Sequence, residues 1–411
     1  MGRNPQGRLI MRTKFPTSAT GLQKYLAPNS SEWKVLAPKL GETPTKGEKE
    51  EMEKAQDSLK DSLLFSLQMQ NIIILTGCGT SRSADGPSMG DLWNKSIGTS
   101  PSKDAEDVAK KIKYDLAKPN PNIEDFLSVC EAYLQVYKDD ADVKTFVSKC
   151  KGNILDQCTS FLDIKKLDGH KTFLHRLSRR RTRDSRLKMF STNYDICFER
   201  AAGEMGLVVV DGFSFTQPRY YDPCFFGYDI VRRNRMGEDQ SSYLEGVFHL
   251  YKLHGSVNWA CVNDGIIEEK QKPSSDEVCM IYPARGKYQQ SFHQPHLELI
   301  SQYFSALREP NTCLIVTGFG FNDDHLAEPI LSAIRSNPHL RLIIADYAAE
   351  NSIIKKANRY WEEFADLSKQ GEDVWFINAS FDEFSKMIPD LKSLSQGDKL
   401  MKDIQRIAVV K

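Results

Sequence analysis

The chain has 411 residues, of which 40% are hydrophobic and 27% are charged, a composition typical of folded globular proteins. Its 55 basic and 55 acidic residues give a net charge of zero, which argues against a protein that binds nucleic acid by neutralising phosphates. No apolar run approaches the roughly 20 residues that a membrane-spanning helix needs, and the N-terminus lacks the apolar core of a secretory signal. We therefore expect a cytoplasmic protein of two or three domains, without direct nucleic-acid or membrane binding.

The nine cysteines are scattered along the chain, and none forms a C-x-x-C pair. Such a set does not predict a disulfide framework. A structural zinc site usually takes paired cysteines or histidines, and His293 with His296 comes closest, without a cysteine pair to complete it. The pattern predicts a reduced protein with no metal site.

The N-terminal half combines an extension, a strand and a helical segment. Residues 1–50 are rich in Pro, Gly, Ser, Thr and Lys, which predicts an N-terminal arm. A charged amphipathic pattern over residues 47–70 predicts a helix, and the apolar run that follows it predicts a fully buried parallel strand at 71–76. Helical spacing returns between residues 101 and 186, where we predict an inserted helical subdomain.

A basic run spans residues 176–188. It could form a patch that binds DNA or phosphate. A solvated helix face or a subunit contact is the alternative, and the zero net charge of the whole chain favours it. The run and the N-terminal arm are our candidates for assembly contacts.

Strands and helices alternate through the remainder of the chain. Apolar runs predict strands at 187–192, 207–210, 247–253, 313–317 and 341–346, and helical spacing predicts helices at 197–205, 296–308 and 328–336. This alternation indicates the α/β class, with a Rossmann-like parallel sheet and helices on both faces. We assign residues 51–100 and 187–395 to this domain and residues 396–411 to a C-terminal tail.

Glycine-rich loops follow two of these strands, at the strand ends where α/β sheets bind ligands. The loop at 77–81, G-C-G-T-S, could let the backbone approach a pyrophosphate, with exposed N–H groups as donors. Arginine replaces the third glycine of G-x-G-x-x-G, so a tight structural turn is the alternative. The second loop, T-G-F-G at 317–320, has the same setting. Asp346 ends a strand and could either accept from a ribose diol or cap a helix.

Two polar residues also stand at strand ends. Asn193 has a neutral amide that both donates and accepts hydrogen bonds, and His254 is a base whose unperturbed pKa lies near neutrality. Taken singly, an asparagine there is usually a turn former, and a histidine before glycine is usually a loop residue. Together with the glycine loop, they point to an enzyme that cleaves a nucleotide.

The combined motifs resemble the sirtuin superfamily. The loop at 77–81 is similar to its G-A-G-x-S loop, and T-N-Y-D at 192–195 is similar to its T-Q-N-x-D motif without the glutamine. L-H-G-S at 253–256 is similar to the H-G motif, and T-G-F-G at 317–320 occupies the place of the late glycine-serine turn. The order matches across roughly residues 60–390. The resemblance implies a Rossmann-like NAD-binding domain with a smaller inserted one.

Differences from the sirtuin motifs indicate which group of sirtuin-like proteins the chain resembles. Protein-deacylating sirtuins carry a zinc ribbon of two cysteine pairs after the H-G motif, and nothing in this sequence can build it. The chain is more similar to the sirtuin-like NAD-cleaving effectors of bacterial antiphage systems. Among these it resembles the sirtuin partner of a HerA-like hexameric ATPase in the Nezha system. This resemblance implies NAD+ as the substrate, a homo-oligomer and an ATPase partner.

The resemblance also implies roles for individual residues. Asn193 would position an attacking water, Asp195 would support the site or bind the nicotinamide carboxamide, and His254 would act as general base. The residues expected to bind the cofactor are Gly77, Cys78, Gly79, Thr80, Ser81, Asp85, Gly318, Phe319, Gly320 and Asp346. The expected activity is hydrolysis of NAD+ to nicotinamide and ADP-ribose, which depletes NAD+ in abortive infection. The alternatives are a deacylase or ADP-ribosyltransferase, and a non-catalytic NAD or ADP-ribose-binding scaffold for an ATPase.

Overall fold

The structure is a computed structural model that describes residues 23–38, 41–118, 122–178, 180, 184–232, 242–262, 265–269, 273–275, 277–280 and 295–390. Several of the predicted features lie outside these residues. They are residues 1–22 and 39–40 of the arm, His293, the C-terminal tail, and residues 179 and 181–183 of the basic run. Across the described residues, no helix combines the length and apolar character needed to cross a membrane.

The helices are α1 (Lys46–Leu67), α2 (Met89–Ser96), α3 (Lys103–Ile112), α4 (Ile123–Val136), α5 (Ala141–Ser160), α6 (Asp168–Leu177), α7 (Cys197–Glu204), α8 (His296–Arg308), α9 (Asp324–Ser336), α10 (Ala349–Ile354), α11 (Arg359–Gln370) and α12 (Phe381–Met387). The strands are β1 (Gln23–Leu26), β2 (Lys34–Ala37), β3 (Asn71–Thr76), β4 (Leu187–Ser191), β5 (Val208–Val210), β6 (Arg219–Tyr220), β7 (Val231–Arg232), β8 (Ser242–Tyr243), β9 (Val247–Lys252), β10 (Gly255–Val262), β11 (Gly265–Glu268), β12 (Val278–Met280), β13 (Thr312–Thr317), β14 (Leu340–Asp346) and β15 (Val374–Asn378). The predicted helices and strands of the α/β domain are therefore present.

The main sheet has nine strands in the order β2-β1-β15-β14-β13-β3-β4-β9-β5. Seven of them, from β15 to β5, run parallel to one another, as the prediction of a parallel sheet requires. Strands β4, β9 and β5 lie on one side of β3 in the sheet, and the later strands β13, β14 and β15 lie on its other side. The order therefore reverses between β3 and β13, and ligands of open α/β sheets bind at such a switch point.

Helices cover both faces of this sheet. Ile73 and Leu75 pack into a core with residues of α8, α9 and α11, whereas Ile72 and Ile74 pack into a second core with residues of α1, α6, α7 and α12. Successive side chains of a strand point to opposite faces. A strand that is buried on both faces therefore needs the continuous apolar run that predicted it.

Helices α2 to α5, which we call the helical unit, share a third core around Phe126 and Phe146. This core also takes Tyr194 from the T-N-Y-D motif and Val257 from β10. Helix α6, which we placed in the helical subdomain, instead packs through Phe173 into the core of the sheet. The division of the chain into domains stays a prediction.

Part of the predicted N-terminal arm belongs to the main sheet. Strand β1 pairs antiparallel with β15, with Lys24 opposite Asn378, and β2 extends the edge. Tyr25 is fully buried, and its ring stacks on Trp375 at 6.0 Å between centroids. The expectation of an arm is therefore wrong for residues 23–37. Four-residue strands are too short to show a clear alternation, so the sequence pattern did not reveal them.

A smaller antiparallel sheet takes three of its four strands from the chain after His254. Its strands are in the order β12-β10-β11-β6, and β10 begins at Gly255, directly after the histidine. The strand predicted at 247–253 ends at Lys252, and after a turn at residues 253–254 the chain continues at Gly255 into a second strand. This sheet is therefore joined to the main sheet at the predicted catalytic histidine.

Candidate active site

The two glycine loops lie against each other at the switch point of the sheet. The amide of Gly77 donates to the carbonyl of Thr317 at 3.2 Å, and the amide of Gly79 donates to the carbonyl of Gly318 at 2.9 Å. A Cβ atom on Gly79 would lie 2.6 Å from the Cα of Gly318. Because that distance excludes any side chain, the glycine is needed for the contact between the loops, whether or not a ligand is bound.

The first loop also contains hydrogen bonds between its own backbone groups. The amide of Thr80 donates to the carbonyl of Gly77 at 3.0 Å, and the amide of Ser81 donates to the carbonyl of Cys78 at 3.1 Å. We expected exposed amides here to contact a pyrophosphate. The amides of Gly77, Gly79, Thr80 and Ser81 instead donate to protein carbonyls, because the chain makes a short 3₁₀ turn at 78–80 that packs on the second loop.

A buried polar cluster joins this loop to the T-N-Y-D motif. Ser81 donates through Oγ to Oδ2 of Asp195 at 2.7 Å. The side-chain NH2 of Asn193 donates to Oγ1 of Thr80 at 3.1 Å and to Oγ of Ser81 at 3.0 Å. All four residues are buried, and the other oxygen of Asp195 accepts from the amide of Cys197 at 3.0 Å, at the start of α7. The structure thus brings together residues that the sequence predicted separately.

Lys252 lies beneath this cluster and was not predicted from the sequence. Only 3% of its side chain is exposed, and its Nζ atom lies 3.3 Å from Oε1 of Glu199. Nζ also donates to the backbone carbonyl of Asp195. Burial raises the pKa of Glu199, and the charge of Lys252 opposes that rise. A signal was present in the sequence, since Lys252 is a charged residue at the end of the apolar strand β9.

His254 lies in the short connection between β9 and β10 and is buried. Its Nε2 atom has no hydrogen-bond partner among the described residues. Burial, together with the nearby rings of His325 and His296, lowers the pKa of His254 well below its usual range. The buried ring therefore does not keep the unperturbed pKa of a free histidine. The imidazole is therefore neutral at pH 7.

Two carboxyl groups whose charges act on the Cys78 thiol were also not predicted from the sequence. The Tyr194 hydroxyl donates to Oε1 of Glu124 at 2.7 Å, and Glu124 belongs to α4 in the helical unit. Burial and the charge of Asp323 raise the pKa of Glu124 to about 8, against the hydrogen bond from Tyr194. Burial and Asp324 raise the pKa of Asp323 to about 6. No local pattern marks Glu124, because it looks like an ordinary acidic residue in the first turn of a helix.

Some of the predicted cofactor residues have other contacts. Asp85 has an exposed side chain whose Oδ2 lies 2.6 Å from Nζ of Lys166. Cys78 is exposed, yet burial of its thiol and the nearby Glu124 raise the pKa of this thiol to about 11. The structure thus turns Asp85 toward Lys166 and leaves Cys78 accessible beside the two glycine loops.

Residues of the second loop also make contacts with the core of the sheet. Phe319 is buried in the core of the sheet, 5.4 Å from Phe321 between ring centroids. The carbonyl of Gly320 accepts from Asn358 at 2.9 Å. Asp346 accepts through Oδ1 from the amide of Ala348 at 2.8 Å, so it forms a turn of its own. Contacts of Gly318, Phe319, Gly320 and Asp346 with a nucleotide stay a prediction.

The described arginines of the basic run are engaged within the chain. Arg180 donates to the carbonyls of Met69 and Gln70, both at 2.8 Å. Arg176 donates to the carbonyl of Ile388, and Arg186 pairs with Asp229 at 2.7 Å. These contacts favour a structural role over a phosphate patch. Separately, no group of three or more His, Cys, Asp and Glu side chains that could hold a metal ion occurs within the described ranges.

Part of the chain is similar to a known domain family. Residues 188–365 match a SIR2-like domain. The SIR2-like match starts in β4 and ends in α11. It therefore includes the T-N-Y-D motif, His254 and the second glycine loop, and it leaves out the loop at 77–81. No curated protein matches the chain.

Solved structures also show similarity to the chain. A complex of a Sir2 homologue with NAD has 12% identity and a TM-score of 0.42, and covers 80% of this chain and 91% of its own. A complex of a mutant Sir2 homologue with ADP-ribose has 12% identity and a TM-score of 0.39, and covers 86% of this chain and 98% of its own.

Proposed function

We propose that this protein binds NAD+ where the two glycine loops meet and hydrolyses it to nicotinamide and ADP-ribose. One observation carries the proposal. Inside the SIR2-like match, a neutral buried histidine with an unpartnered Nε2 among the described residues accompanies a buried asparagine. These are the two groups that the hydrolysis of an N-glycosidic bond could use, one as a base and one to position water.

The reaction follows from the chemistry of these groups. The bond between C1′ of the ribose and the nicotinamide nitrogen breaks, and nicotinamide leaves with the electron pair. The ribose passes through an oxocarbenium-like state, which needs orientation and charge stabilisation more than a strong nucleophile. Water adds to C1′ and gives its proton to Nε2 of His254. A positioned base of this kind typically contributes ~10²–10⁴-fold.

Asn193 would orient that water. Its NH2 group already donates to Thr80 and Ser81, so its Oδ1 is the atom that would accept from water. Asp195 keeps Ser81 in place and would bind the nicotinamide carboxamide or support the site. These contacts fix the amide of Asn193 in one orientation before the substrate arrives, which lowers the cost of orienting the water.

The acceptor is water in this proposal because the sequence has no pairs of cysteines for the zinc ribbon of the deacylating sirtuins. The resemblance of the motifs to bacterial effectors leads us to propose, further, that NAD+ depletion serves antiphage defence by abortive infection. On the same basis we propose a homo-oligomer and regulation by a HerA-like ATPase. Residues 1–22 and the basic run are the segments we would test first for these contacts.

Chromatography of NAD+ incubated with the purified protein tests the central proposal. We expect nicotinamide and ADP-ribose from the parent, and a loss of at least ~10²-fold in His254→Ala and Asn193→Ala. His339→Ala, which removes an exposed histidine, is the matched control and should keep the parent rate.

Other outcomes would contradict hydrolysis. Parent-like turnover by His254→Ala or Asn193→Ala would exclude the assigned roles. Release of nicotinamide only with an acylated peptide would indicate a deacylase, and modification of a protein acceptor would indicate an ADP-ribosyltransferase. Binding of NAD+ without loss, also with the ATPase present, would indicate a scaffold.

A further inference from the structure

Glu124 connects the helical unit to the middle of the candidate active site. It lies in the first turn of α4 and is 3% exposed. Its Oε1 accepts a 2.7 Å hydrogen bond from the hydroxyl of Tyr194. Tyr194 stands between Asn193 and Asp195 in the chain, so the contact reaches the residues to which we assign the chemistry.

Tyr194 is held on its other side by the strand that follows the catalytic histidine. Its carbonyl accepts from the amide of Val257 at 3.0 Å and from Oγ of Ser256 at 3.3 Å. Its ring centroid lies 6.5 Å from that of His254. A displacement of Tyr194 would therefore move Asn193 and Asp195 along the chain, and would alter the surroundings of His254.

A buried carboxyl group needs a compensating partner. Burying a polar group without a hydrogen bond costs roughly 1–3 kcal/mol in proteins. Leucine or methionine would fill the same place in the third core without that cost. The hydroxyl of Tyr194 supplies the hydrogen bond that makes a buried Glu124 acceptable.

We propose that Glu124 is a positioning residue: through Tyr194 it holds Asn193 and His254 in the geometry needed to cleave NAD+. The proposal rests on the proposed function for its kinetic part. It makes the docking of the helical unit a condition for activity, although no residue of α4 need touch the reacting atoms.

Four variants test this role by kinetics. Glu124→Leu and Tyr194→Phe remove the hydrogen bond from either side, and the double variant removes both groups. Glu124→Gln keeps an oxygen that can accept from Tyr194. Tyr114→Phe is the matched control, because it removes a hydroxyl that donates to Asp125 at 3.1 Å within the helical unit.

We expect kcat for NAD+ to fall ~10- to 100-fold in Glu124→Leu and Tyr194→Phe, the range that corresponds to leaving one buried hydrogen-bonding group without its partner. KM should change less than kcat, because the contacts between the two glycine loops, where we place NAD+, do not involve Tyr194. The double variant should be no slower than the slower single variant, since both changes remove the same interaction. Glu124→Gln and Tyr114→Phe should stay within about threefold of the parent, because both keep a hydrogen bond between residues 124 and 194.

A second measurement does not depend on cleavage. In protein carrying ¹³C-labelled histidine, the NMR signal of His254, assigned with His254→Gln, should shift in Glu124→Leu and Tyr194→Phe and stay unchanged in Tyr114→Phe. If Glu124→Leu fails to fold, the results for Tyr194→Phe alone test the role of Glu124. A parent-like His254 signal or a parent-like kcat in Tyr194→Phe would overturn the role of Glu124. A parent that never cleaves NAD+ would instead overturn the proposed function, and the NMR comparison would still decide the positional role.

Discussion

The amide of Gly79 donates a 2.9 Å hydrogen bond to the carbonyl of Gly318, and this contact joins the loop after β3 to the loop after β13. The two strands are neighbours in the sheet, and the order of strands reverses between them. Gly318 has a φ of 63°, which a residue with a side chain rarely adopts. The glycines that look like a nucleotide-binding signature in the sequence are therefore also the packing surface between two loops.

We expect Gly318→Ala to destabilise the fold by about 2–3 kcal/mol, because the new Cβ would lie 2.5 Å from the amide nitrogen of Thr80 and the backbone is in the left-handed region. Gly203→Ala is the control: Gly203 lies in α7, a Cβ added there would have no neighbour within 4 Å, and the change should stabilise by up to about 1 kcal/mol. Urea unfolding measures both. A Gly318→Ala variant as stable as the parent would show that the loops can separate.

Lys252→Met should destabilise by about 3 kcal/mol, because it leaves the half-buried Glu199 without its cation and removes a donor from the carbonyl of Asp195. The double variant Lys252→Met/Glu199→Gln should recover most of the loss, since the unpaired charge is then absent. Unfolding in urea at pH 7 compares the three proteins. If the double variant were as unstable as Lys252→Met, the loss would have to come from the Asp195 contact.

The NMR signal of His254 should stay constant between pH 6 and 8, because burial and two neighbouring histidines lower its pKa well below the usual range. A free histidine, with a pKa of about 6.5, titrates within this interval. The measurement uses the same labelled protein as above. A His254 signal that moved with a midpoint near 6.5 would mean that the ring is in contact with water, and would remove the basis for a neutral base at pH 6.

His170 should make the fold sensitive to acid. It is fully buried between the rings of Phe198 and Phe381, and neither ring nitrogen has a partner among the described residues. Burial lowers its pKa to about 4. Between this value and about 6.5 the unfolded chain binds the extra proton, so stability rises with pH across that window and is lost as the pH falls through it.

We expect His170→Leu to remove up to roughly 3 kcal/mol of that pH dependence, the equivalent of a shift of about two units or more. Urea unfolding at pH 4.5 and pH 7 measures the difference for parent and variant. His339→Leu removes an exposed histidine and should leave the parent's pH dependence in place. Equal pH dependence in parent and His170→Leu would assign the acid sensitivity to other groups.

Cys261 should be the first of the exposed cysteines to react with an alkylating reagent at pH 7. A hydrogen bond with Cys279 lowers the pKa of its thiol to about 7, whereas the pKa of Cys78 is raised to about 11. After allowing for the greater nucleophilicity of the more basic thiolate, the rates should differ by roughly 10²-fold. Peptide mass spectrometry after timed iodoacetamide treatment measures both sites. The advantage of Cys261 should shrink in Cys279→Ala, and an unchanged rate there would contradict the role of the hydrogen bond.

The sequence by itself determined the α/β class and the ends of the central strands. Ile72 to Leu75 form a continuous apolar run because both faces of their strand are covered, as they are in a central parallel strand. Asn193, His254 and the two glycine loops could be predicted as site residues for a related reason. Parallel strands end at one edge of the sheet, so polar residues that directly follow buried strands must lie near one another.

Only the tertiary structure decided how these residues work. Lys252, Glu124 and His325 are near the site through contacts between elements distant in the chain, which no local pattern encodes. The pKa of His254 depends on how much protein surrounds it, and the loop amides are used within the protein because the second glycine loop packs on the first. Hydrophobic periodicity specifies which faces are buried. The partners on those faces, and hence the charges and hydrogen bonds of the site, follow from packing alone.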